Sequence, residues 1–397
     1  MFFSYLRGDS MRICFVCQSL DTFGGVQRAV ALLANELASR GEDVSVLMDG
    51  PRLRLNPYGL SRKVHVLDVG IGGPSKPFGK LVSKIRRYFG YPRPIQRTHD
   101  LDGSVIDGGS FSKVRTALFD EGFDVVVGCD PLHTIICSYA CDGLKTRVCG
   151  WQHSTYDGYF GQRGKGLYGF DRLYAHALAS CEVNFVLTER SRVDYERRTG
   201  YSAAVLPNSI VEVGERSTAS DCILYCGRLD PGSKGADFIP LIAEGLAALD
   251  FSGKFFVVGD GPYRSELEKW LARSDLPFDL ELKGFVSDTE CYYTQASVLI
   301  SPSRWEGFGL SILEGMSHGV PCVAFDNDGP RSLISDGVDG VIVPNGDVDA
   351  MVGSAIALIN NGVEHERLAA AAIETSKGYL VGTQADRFLA ALEGWTL

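Results

Sequence analysis

The chain has 397 residues, of which 45% are hydrophobic, and its formal net charge is −10. This length exceeds one ordinary domain and suits two domains with separate apolar cores. A net negative charge argues against a protein that binds nucleic acid. No apolar run approaches the roughly 20 residues of a membrane-spanning helix, and residues 1–5 are too short for the apolar core of a signal peptide. We therefore expect a globular protein that lacks both kinds of segment.

The eleven cysteines are scattered along the chain, and several lie inside apolar, strand-like runs. Such thiols are typical of small core residues in a reducing compartment, so we expect a cytoplasmic location. Cys14 and Cys17 fall within one predicted strand, where alternation sends their side chains to opposite faces and disfavours a redox pair. No group of Cys and His residues has the spacing of a zinc site.

Strand-like and helix-like patterns alternate through the first half of the chain. Predicted strands cover residues 12–17, 44–48, 125–127, 148–151 and 183–187, and predicted helices cover residues 26–40, 111–120, 131–140, 170–180 and 188–199. Residues 50–110 are rich in Gly, Pro and Arg, and we expect them to be irregular. The alternation predicts a parallel sheet covered by helices on both faces.

A second alternating segment follows the polar stretch 212–221, which we interpret as a linker. Its predicted strands cover residues 223–226, 255–258, 280–282, 298–300, 323–325 and 341–343. We therefore predict an N-terminal domain of residues 1–210 and a C-terminal domain of residues 211–379.

Two glycine-containing loops follow predicted strands and precede helices, which is the arrangement that brings backbone amides to an anion. The first contains Gly24 and Gly25, a common pair that is weak evidence alone. The second contains Arg228, whose planar fork suits phosphate oxygens, and Lys234, which is a mobile point charge. The alternative is that both cations are surface residues of a turn.

The stretch 297–326 is a predicted strand–loop–helix–strand unit. Gly307 and Gly309 allow the loop to turn and to approach a ligand closely. Glu306 lies in the loop and Glu314 in the helix. The helix N-terminus directs unpaired N–H groups at the crevice beyond the strand ends, where we expect an anion. The alternative is that both carboxylates are solvated surface groups.

These motifs, in this order, resemble the signature of the retaining glycosyltransferases of family 4, also called glycosyl transferases group 1. The resemblance implies an α/β protein of GT-B architecture, with two Rossmann-like domains facing a central cleft. It also implies that the last helix, within residues 380–397, packs back on the first domain. Gln27 stands where the family commonly has Glu, which leaves a charged role there in doubt.

The resemblance assigns roles to particular residues. Glu306 and His153 are expected at the donor sugar as catalytic residues, although a lone histidine in a strand-end position is often structural. The expected contacts of the donor diphosphate are Gly24, Gly25, Arg228, Lys234, Phe308, Gly309 and Leu310. The expected contacts of the nucleoside are Phe285, Val286 and Glu314.

The implied reaction moves a hexose, with retention, from a nucleotide diphosphate sugar to a hydroxyl of a growing cell-surface glycan or glycolipid. The expected donor is UDP-galactose, UDP-glucose or an N-acetylhexosamine form, as in bacterial surface-polysaccharide and lipopolysaccharide hexosyltransferases. Ser332 stands where the family often has Glu, which leaves the sugar open. The alternatives are a non-catalytic GT-B partner subunit and a nucleotide-sugar epimerase.

Two Asp-x-Asp patterns raise the question of a metal. The pairs Asp100/Asp102 and Asp326/Asp328 both read as turns, since Arg228, Lys234 and a helix dipole can offset a diphosphate. We therefore expect no cofactor and no metal.

Residues 78–91 combine an apolar stripe at helical spacing with basic residues, and residues 74–97 contain no acidic residue. A basic amphipathic helix of this kind can bind an anionic membrane surface. The alternative is an ordinary helix that buries its stripe against the sheet. We favour peripheral binding at the inner face of the cell membrane, which would bring the enzyme to a lipid-linked acceptor.

Overall fold

The computed structural model describes residues 10–49, 53–69, 108–161, 166–217 and 221–394. The chain divides into two compact units, one made of Met1–Ser209 with Val381–Leu397 and one made of Ile210–Leu380. Within the described ranges, no helix combines the length and apolar character needed to cross a bilayer. The predicted basic helix 78–91 and the Asp100/Asp102 pair lie outside these ranges.

The first unit is built on a seven-stranded sheet in which each neighbouring pair is parallel. The strand order is β3-β2-β1-β4-β5-β6-β7. The strands are β1 (Arg12–Gln18), β2 (Asp43–Asp49), β3 (His65–Asp68), β4 (Val125–Gly128), β5 (Arg147–Gln152), β6 (Cys181–Val186) and β7 (Ala204–Val205).

Helices cover this sheet because the central strands are apolar on both sides. They are α1 (Gly25–Ser39), α2 (Gly108–Glu121), α3 (Pro131–Ala140), α4 (Tyr156–Phe160), α5 (Asp171–Leu178) and α6 (Glu189–Thr199). Alternate residues of β1 enter two different cores, so Cys14 belongs to one and Cys17 to the other. Both cysteines are buried and neither forms a disulfide, and burial raises the pKa of Cys14 well above its usual range.

The second unit repeats the design with six parallel strands in the order β10-β9-β8-β11-β12-β13. The strands are β8 (Cys222–Cys226), β9 (Lys254–Val258), β10 (Asp279–Gly284), β11 (Val298–Ser301), β12 (Cys322–Phe325) and β13 (Val341–Val343). The helices are α7 (Pro231–Lys234), α8 (Ile239–Ala248), α9 (Arg264–Leu271), α10 (Glu290–Tyr293), α11 (Leu310–Ser317), α12 (Asp328–Leu333), α13 (Val348–Asn360) and α14 (Gly362–Lys377).

The C-terminal helix α15 (Val381–Glu393) packs on the first unit. Its Phe388 lies 6.0 Å from the ring of Phe15 and 5.5 Å from that of Phe185, between ring centroids. Arg40, the C-cap of α1, donates to the carboxylate of Asp386 at 2.5 Å. These contacts make α15 part of the core of the first unit.

Both sheets have the strand order of a doubly wound α/β domain, so the prediction of two Rossmann-like domains is confirmed. The order reverses between β1 and β4 in one sheet and between β8 and β11 in the other. Ligands of such folds bind at the carboxyl ends of the strands at this point. The loops after these four strands are therefore where a site is expected.

The prediction that residues 50–110 are irregular was wrong at β3, which pairs in parallel with β2. This edge strand is mostly exposed and has the sequence HVLD, so it lacks the apolar run that marks a buried strand. Pairing with β2, rather than the local pattern, determines its conformation.

Candidate active site

The loop after β8 leads from Arg228 to Lys234, and hydrogen bonds fix its backbone. Tyr225 donates its hydroxyl hydrogen to the carbonyl of Arg228 at 2.9 Å, and the Asp230 carboxylate caps α7 by accepting from Gly232 N at 2.8 Å. Gly235 ends α7 in the left-handed conformation, with φ of 63°. A Cβ on Gly235 would overlap the carbonyl of Pro302, so glycine lets the loops after β8 and β11 touch.

Glu306, in the loop after β11, forms an ion pair with Lys234 from the loop after β8. The two side chains are 15% and 29% exposed respectively, so this pair is partly shielded from water. Ser303 Oγ lies 3.5 Å from the same carboxylate oxygen of Glu306. The reading of Glu306 as a solvated surface group was therefore wrong, because Lys234 and the start of α12 pack against it.

Helix α11 begins next to this ion pair, at Leu310. Its N-cap is Gly309, with φ of 103° and no side chain to bond the first-turn amides. No acidic residue occupies the first turn of α11. The backbone amides and the positive end of the helix dipole therefore remain suited to an anion. The ring of Phe308 is buried and packs on Tyr379, so its amide, rather than its ring, is the group suited to a ligand.

Glu314, one turn further along α11, is 8% exposed, and a hydrogen bond fixes its carboxylate. The hydroxyl of Tyr293, from α10, donates to Glu314 Oε2 at 2.8 Å. The Tyr293 ring stacks on His318 at 5.3 Å between centroids, and His318 Nδ1 lies 2.8 Å from the carbonyl of Glu314. Burial lowers the pKa of His318. The reading of Glu314 as a solvated helix face was also wrong.

Phe285 and Val286 follow β10, two strands away from β8 in the sheet. Phe285 is 51% exposed. The backbone before it is fixed, because Gly259 N donates to the carbonyl of Gly284 at 2.8 Å. The nucleoside contacts predicted for Phe285 and Val286 stay predictions.

In the first unit, His153 follows β5 and is partly buried. Its ring centroid lies 4.3 Å from that of Trp151, and its backbone N–H donates to the hydroxyl of Tyr159 at 3.3 Å. Both ring nitrogens are buried without a hydrogen bond of normal geometry to the described residues, although the amide of Asn208 lies beside the ring. Burial lowers the pKa of His153 to about 4, against the opposing charge of Asp130. The imidazole is therefore neutral at pH 7.

Asp130, two residues after β4, caps the N-terminus of α3, and its charge acts on His153; it was not identified from the sequence. Its carboxylate lies 2.8 Å from His133 Nδ1 and accepts from His133 N at 2.8 Å. Burial raises the pKa of Asp130, but the charge and hydrogen bonds of His133 outweigh burial and lower it overall. The sequence contains the pattern of this cap, because Asp130 lies just after a predicted strand and directly before Pro131, a common first residue of a helix.

The Gly24–Gly25 turn follows β1, and its first amide is already engaged. Gly24 N donates to the hydroxyl of Tyr58 at 2.8 Å. The carboxylate of Asp21 holds the segment before Tyr58 by accepting from Arg54 N at 2.8 Å and Leu55 N at 2.6 Å. Gln27 is buried beneath the turn, where a Cβ on Gly24 would overlap its amide oxygen. The phosphate contact predicted for Gly24 and Gly25 stays a prediction.

Asp326 makes a forked ion pair with Arg331, with nitrogen–oxygen distances of 2.5 and 2.7 Å. Asp328 is the first residue of α12. Among the residues that the structure describes, no three His, Cys, Asp or Glu side chains are grouped to hold a metal ion. The expected independence from metal ions stays a prediction.

Both halves of the chain match family models of glycosyltransferases. The model described as Glycosyltransferase Family 4 matches residues 23–211, and the model described as Glycosyl transferases group 1 matches residues 220–361. The two matches include every predicted site residue.

Relatives and solved structures of similar length agree with these matches. An uncharacterized glycosyltransferase of Haemophilus influenzae is 23% identical and covers 88% of this chain and 91% of its own. The phosphatidyl-myo-inositol mannosyltransferase of Mycobacterium leprae is 25% identical, with 93% of each chain covered. The crystal structure of Anabaena Alr3699/HepE in complex with UDP-glucose has a TM-score of 0.74 at 17% identity, covering 97% and 100% of the two chains.

Proposed function

This chain belongs to the glycosyltransferases of family 4, and we propose that it transfers a hexose from a UDP-sugar to a hydroxyl group with retention at the anomeric carbon. The observation that carries the proposal lies in the second unit. There, Lys234 pairs with Glu306, and Glu306 lies four residues before the start of α11, in the loops where the strand order reverses. This combination offers cations, backbone amides and a carboxylate to a sugar diphosphate.

The diphosphate is assigned to the loop after β8 and the start of α11. Arg228 is exposed while its backbone is fixed by Tyr225, so its guanidinium can bind without rearrangement of the loop. Each charge-assisted hydrogen bond to phosphate contributes about 1.5–3 kcal/mol. Lys234 would share its charge between Glu306 and a phosphate oxygen.

The ribose is assigned to Glu314. An ionised carboxylate only accepts hydrogen bonds, which suits the hydroxyl groups of a sugar. Tyr293 occupies one carboxylate oxygen and so fixes the direction in which the group points. Changing Glu314 to Gln is expected to weaken nucleotide binding more than it slows turnover.

Catalysis is assigned mainly to electrostatics. Same-face transfer needs no enzyme nucleophile if the leaving diphosphate accepts the proton of the incoming hydroxyl. Preorganised cations and amides then stabilise the charge that develops on the leaving group, usually the largest catalytic contribution. Glu306 is proposed to contact the sugar, and His153 to hydrogen-bond a sugar hydroxyl as a neutral imidazole.

The donor is proposed to be UDP-glucose, UDP-galactose or an N-acetylhexosamine form, and the acceptor a cell-surface glycan or glycolipid. Support for the donor is the similar fold of HepE, whose crystal structure is a complex with UDP-glucose. Support for a lipid-linked acceptor is the M. leprae relative, a phosphatidyl-myo-inositol mannosyltransferase. We propose that the reaction needs no metal and takes place in the cytoplasm, with peripheral binding at the inner membrane face through residues 78–91.

A screen of purified protein against UDP-glucose, UDP-galactose, both UDP-N-acetylhexosamines and GDP-mannose tests the proposal. We expect one UDP-hexose to be hydrolysed slowly without acceptor, with undiminished release of UDP in EDTA. Proton NMR should show the released sugar first as the α-anomer. Binding of UDP with no turnover of any donor would favour the non-catalytic subunit, and conversion of one nucleotide sugar into another would favour the epimerase.

A further inference from the structure

Arg304, two residues before Glu306, makes an unusually complete set of contacts. Its guanidinium forms a forked pair with Asp237, with nitrogen–oxygen distances of 2.6 and 2.7 Å. The same group donates to the carbonyl of Pro231 at 2.5 Å and lies 4.2 Å from the ring centroid of Phe238. The side chain of Arg304 therefore binds three residues of the segment 231–238.

The backbone of Arg304 joins the same segment and a third loop. Arg304 N donates to the carbonyl of Ser233 at 2.8 Å. Its own carbonyl accepts from Asn345 Nδ2 at 2.9 Å, in the loop after β13. Ser233 immediately precedes Lys234 in α7. One residue thus holds the loops that carry Lys234 and Glu306 at a set separation.

The guanidinium is suited to this role in a way that an ammonium is not. A guanidinium is a rigid plane with five N–H donors, so it can bond both carboxylate oxygens and a carbonyl at once. Hydrogen bonding to Arg304 lowers the pKa of Asp237, and Asp237 raises the pKa of Arg304. A lysine at this position would keep the positive charge but could not make the forked pair and the bond to the carbonyl together.

We propose that Arg304 is a positioning residue for the donor diphosphate, acting through its fork to Asp237 rather than by touching the ligand. The proposal rests on the assignment of the diphosphate to Lys234 and the start of α11. It predicts a phosphate-specific defect when the fork is lost, because the segment 231–238 carries Lys234 and does not carry Glu314. Small displacements of binding groups can cost up to about 100-fold in rate.

The test compares Arg304→Lys and Asp237→Asn with the matched control Arg367→Lys. Arg367 also forks to a carboxylate, that of Glu364 at 2.8 and 2.5 Å, and bonds the carbonyl of Gly337 at 2.7 Å. Calorimetry with UDP and with uridine should show UDP affinity reduced about tenfold or more in both test variants. Uridine affinity should stay within about twofold, and turnover should fall through a raised KM. The control should match wild type.

Amide hydrogen exchange separates this proposal from the proposed function. Arg304→Lys should accelerate exchange in residues 230–238 and 302–308 together, with the rest of the second unit unchanged. If wild type fails to bind UDP, the proposed function falls, while the exchange result still decides whether Arg304 joins the two loops. Unchanged exchange in Arg304→Lys, or an equal loss of UDP and uridine affinity, would overturn the proposal.

Discussion

The two units have the same strand order but different chemistry where that order reverses. In the second unit, the crevice at the ends of β8 and β11 contains Arg228, the Lys234–Glu306 pair and a helix N-terminus without a side-chain cap. In the first unit, the ends of β4 and β5 carry Asp130, which is paired with His133, and a neutral His153. Topology therefore places a site, while the loop residues decide whether that site suits an anion or a neutral polar group.

The two glycine-containing turns, one in each unit, also differ in how well they suit an anion. Gly309 is the N-cap of α11, and in the described part of the chain no cap side chain bonds the first-turn amides. Gly24 is the N-cap of α1, but its amide donates to the hydroxyl of Tyr58. A phosphate could bind the first turn of α11 without displacing a protein group, whereas the Gly24 amide would have to exchange Tyr58. We therefore infer that the second unit supplies most of the diphosphate affinity.

The largest expected effect of a single change is that of Glu306→Gln. The amide keeps the size of the side chain and removes its charge, so we expect turnover to fall by at least about 100-fold. UDP affinity should change little, because Lys234 is retained. Donor turnover and calorimetry on the same preparation measure both quantities. An active Glu306→Gln enzyme would count decisively against the site.

Arg228→Ala and Lys234→Ala are expected to weaken UDP binding by about 1.5–3 kcal/mol each, since each removes a charge-assisted contact. His153→Gln, in the first unit, is expected to leave UDP affinity within about twofold. Calorimetric titration of the three variants with UDP sharpens the contrast between the units. If His153→Gln lost as much UDP affinity as the two cation variants, the proposed difference between the units would be contradicted.

Tyr293→Phe tests the nucleoside part of the second unit. Loss of the hydroxyl donor to Glu314 should weaken both UDP and uridine by about 0.5–1.5 kcal/mol, the range for one hydrogen bond. Tyr292→Phe is the control, because Tyr292 lies beside Tyr293 on α10 and packs its ring on Phe256. Weakening of UDP alone, with unchanged uridine affinity, would contradict the role given to Glu314.

The last effect concerns stability rather than binding or turnover, and it involves the neutral histidine of the first unit. The pKa of His153 is about 4 in the folded protein and ordinarily 6.5, so below pH 6.5 the unfolded chain takes up a proton that the folded protein does not. Its contribution to stability is therefore complete above pH 6.5 and is lost as the pH falls towards 4, by at most about 1.4 kcal/mol per pH unit. Urea unfolding of wild type and His153→Gln at pH 7, 6 and 5 should show a steeper decline for wild type. Parallel declines would show that burial of the imidazole has no such effect.

Local patterns were sufficient for the fold and for assigning the candidate site residues to its loops and helices. Apolar runs and glycine-rich loops predicted the strand–loop–helix units that contain Arg228, Lys234 and Glu306. The side-chain hydrogen bonds that support these units could not be predicted. Tyr293 and Glu314 are 21 residues apart in the sequence, and Asp237 and Arg304 are 67 residues apart. Only tertiary packing brings such residues together, and the periodicity of the sequence does not indicate which of them will pair.

The most direct measurement is calorimetric titration of the wild-type protein with UDP, UMP and uridine in buffer that contains EDTA. We predict that affinity rises from uridine to UMP to UDP, with UDP at least about 100-fold tighter than uridine, since two or more charge-assisted contacts are added. The difference between UDP and uridine should shrink as salt is raised. Equal affinity for UDP and uridine, or UDP binding that disappears in EDTA, would contradict the assignment of the diphosphate to Arg228, Lys234 and the start of α11.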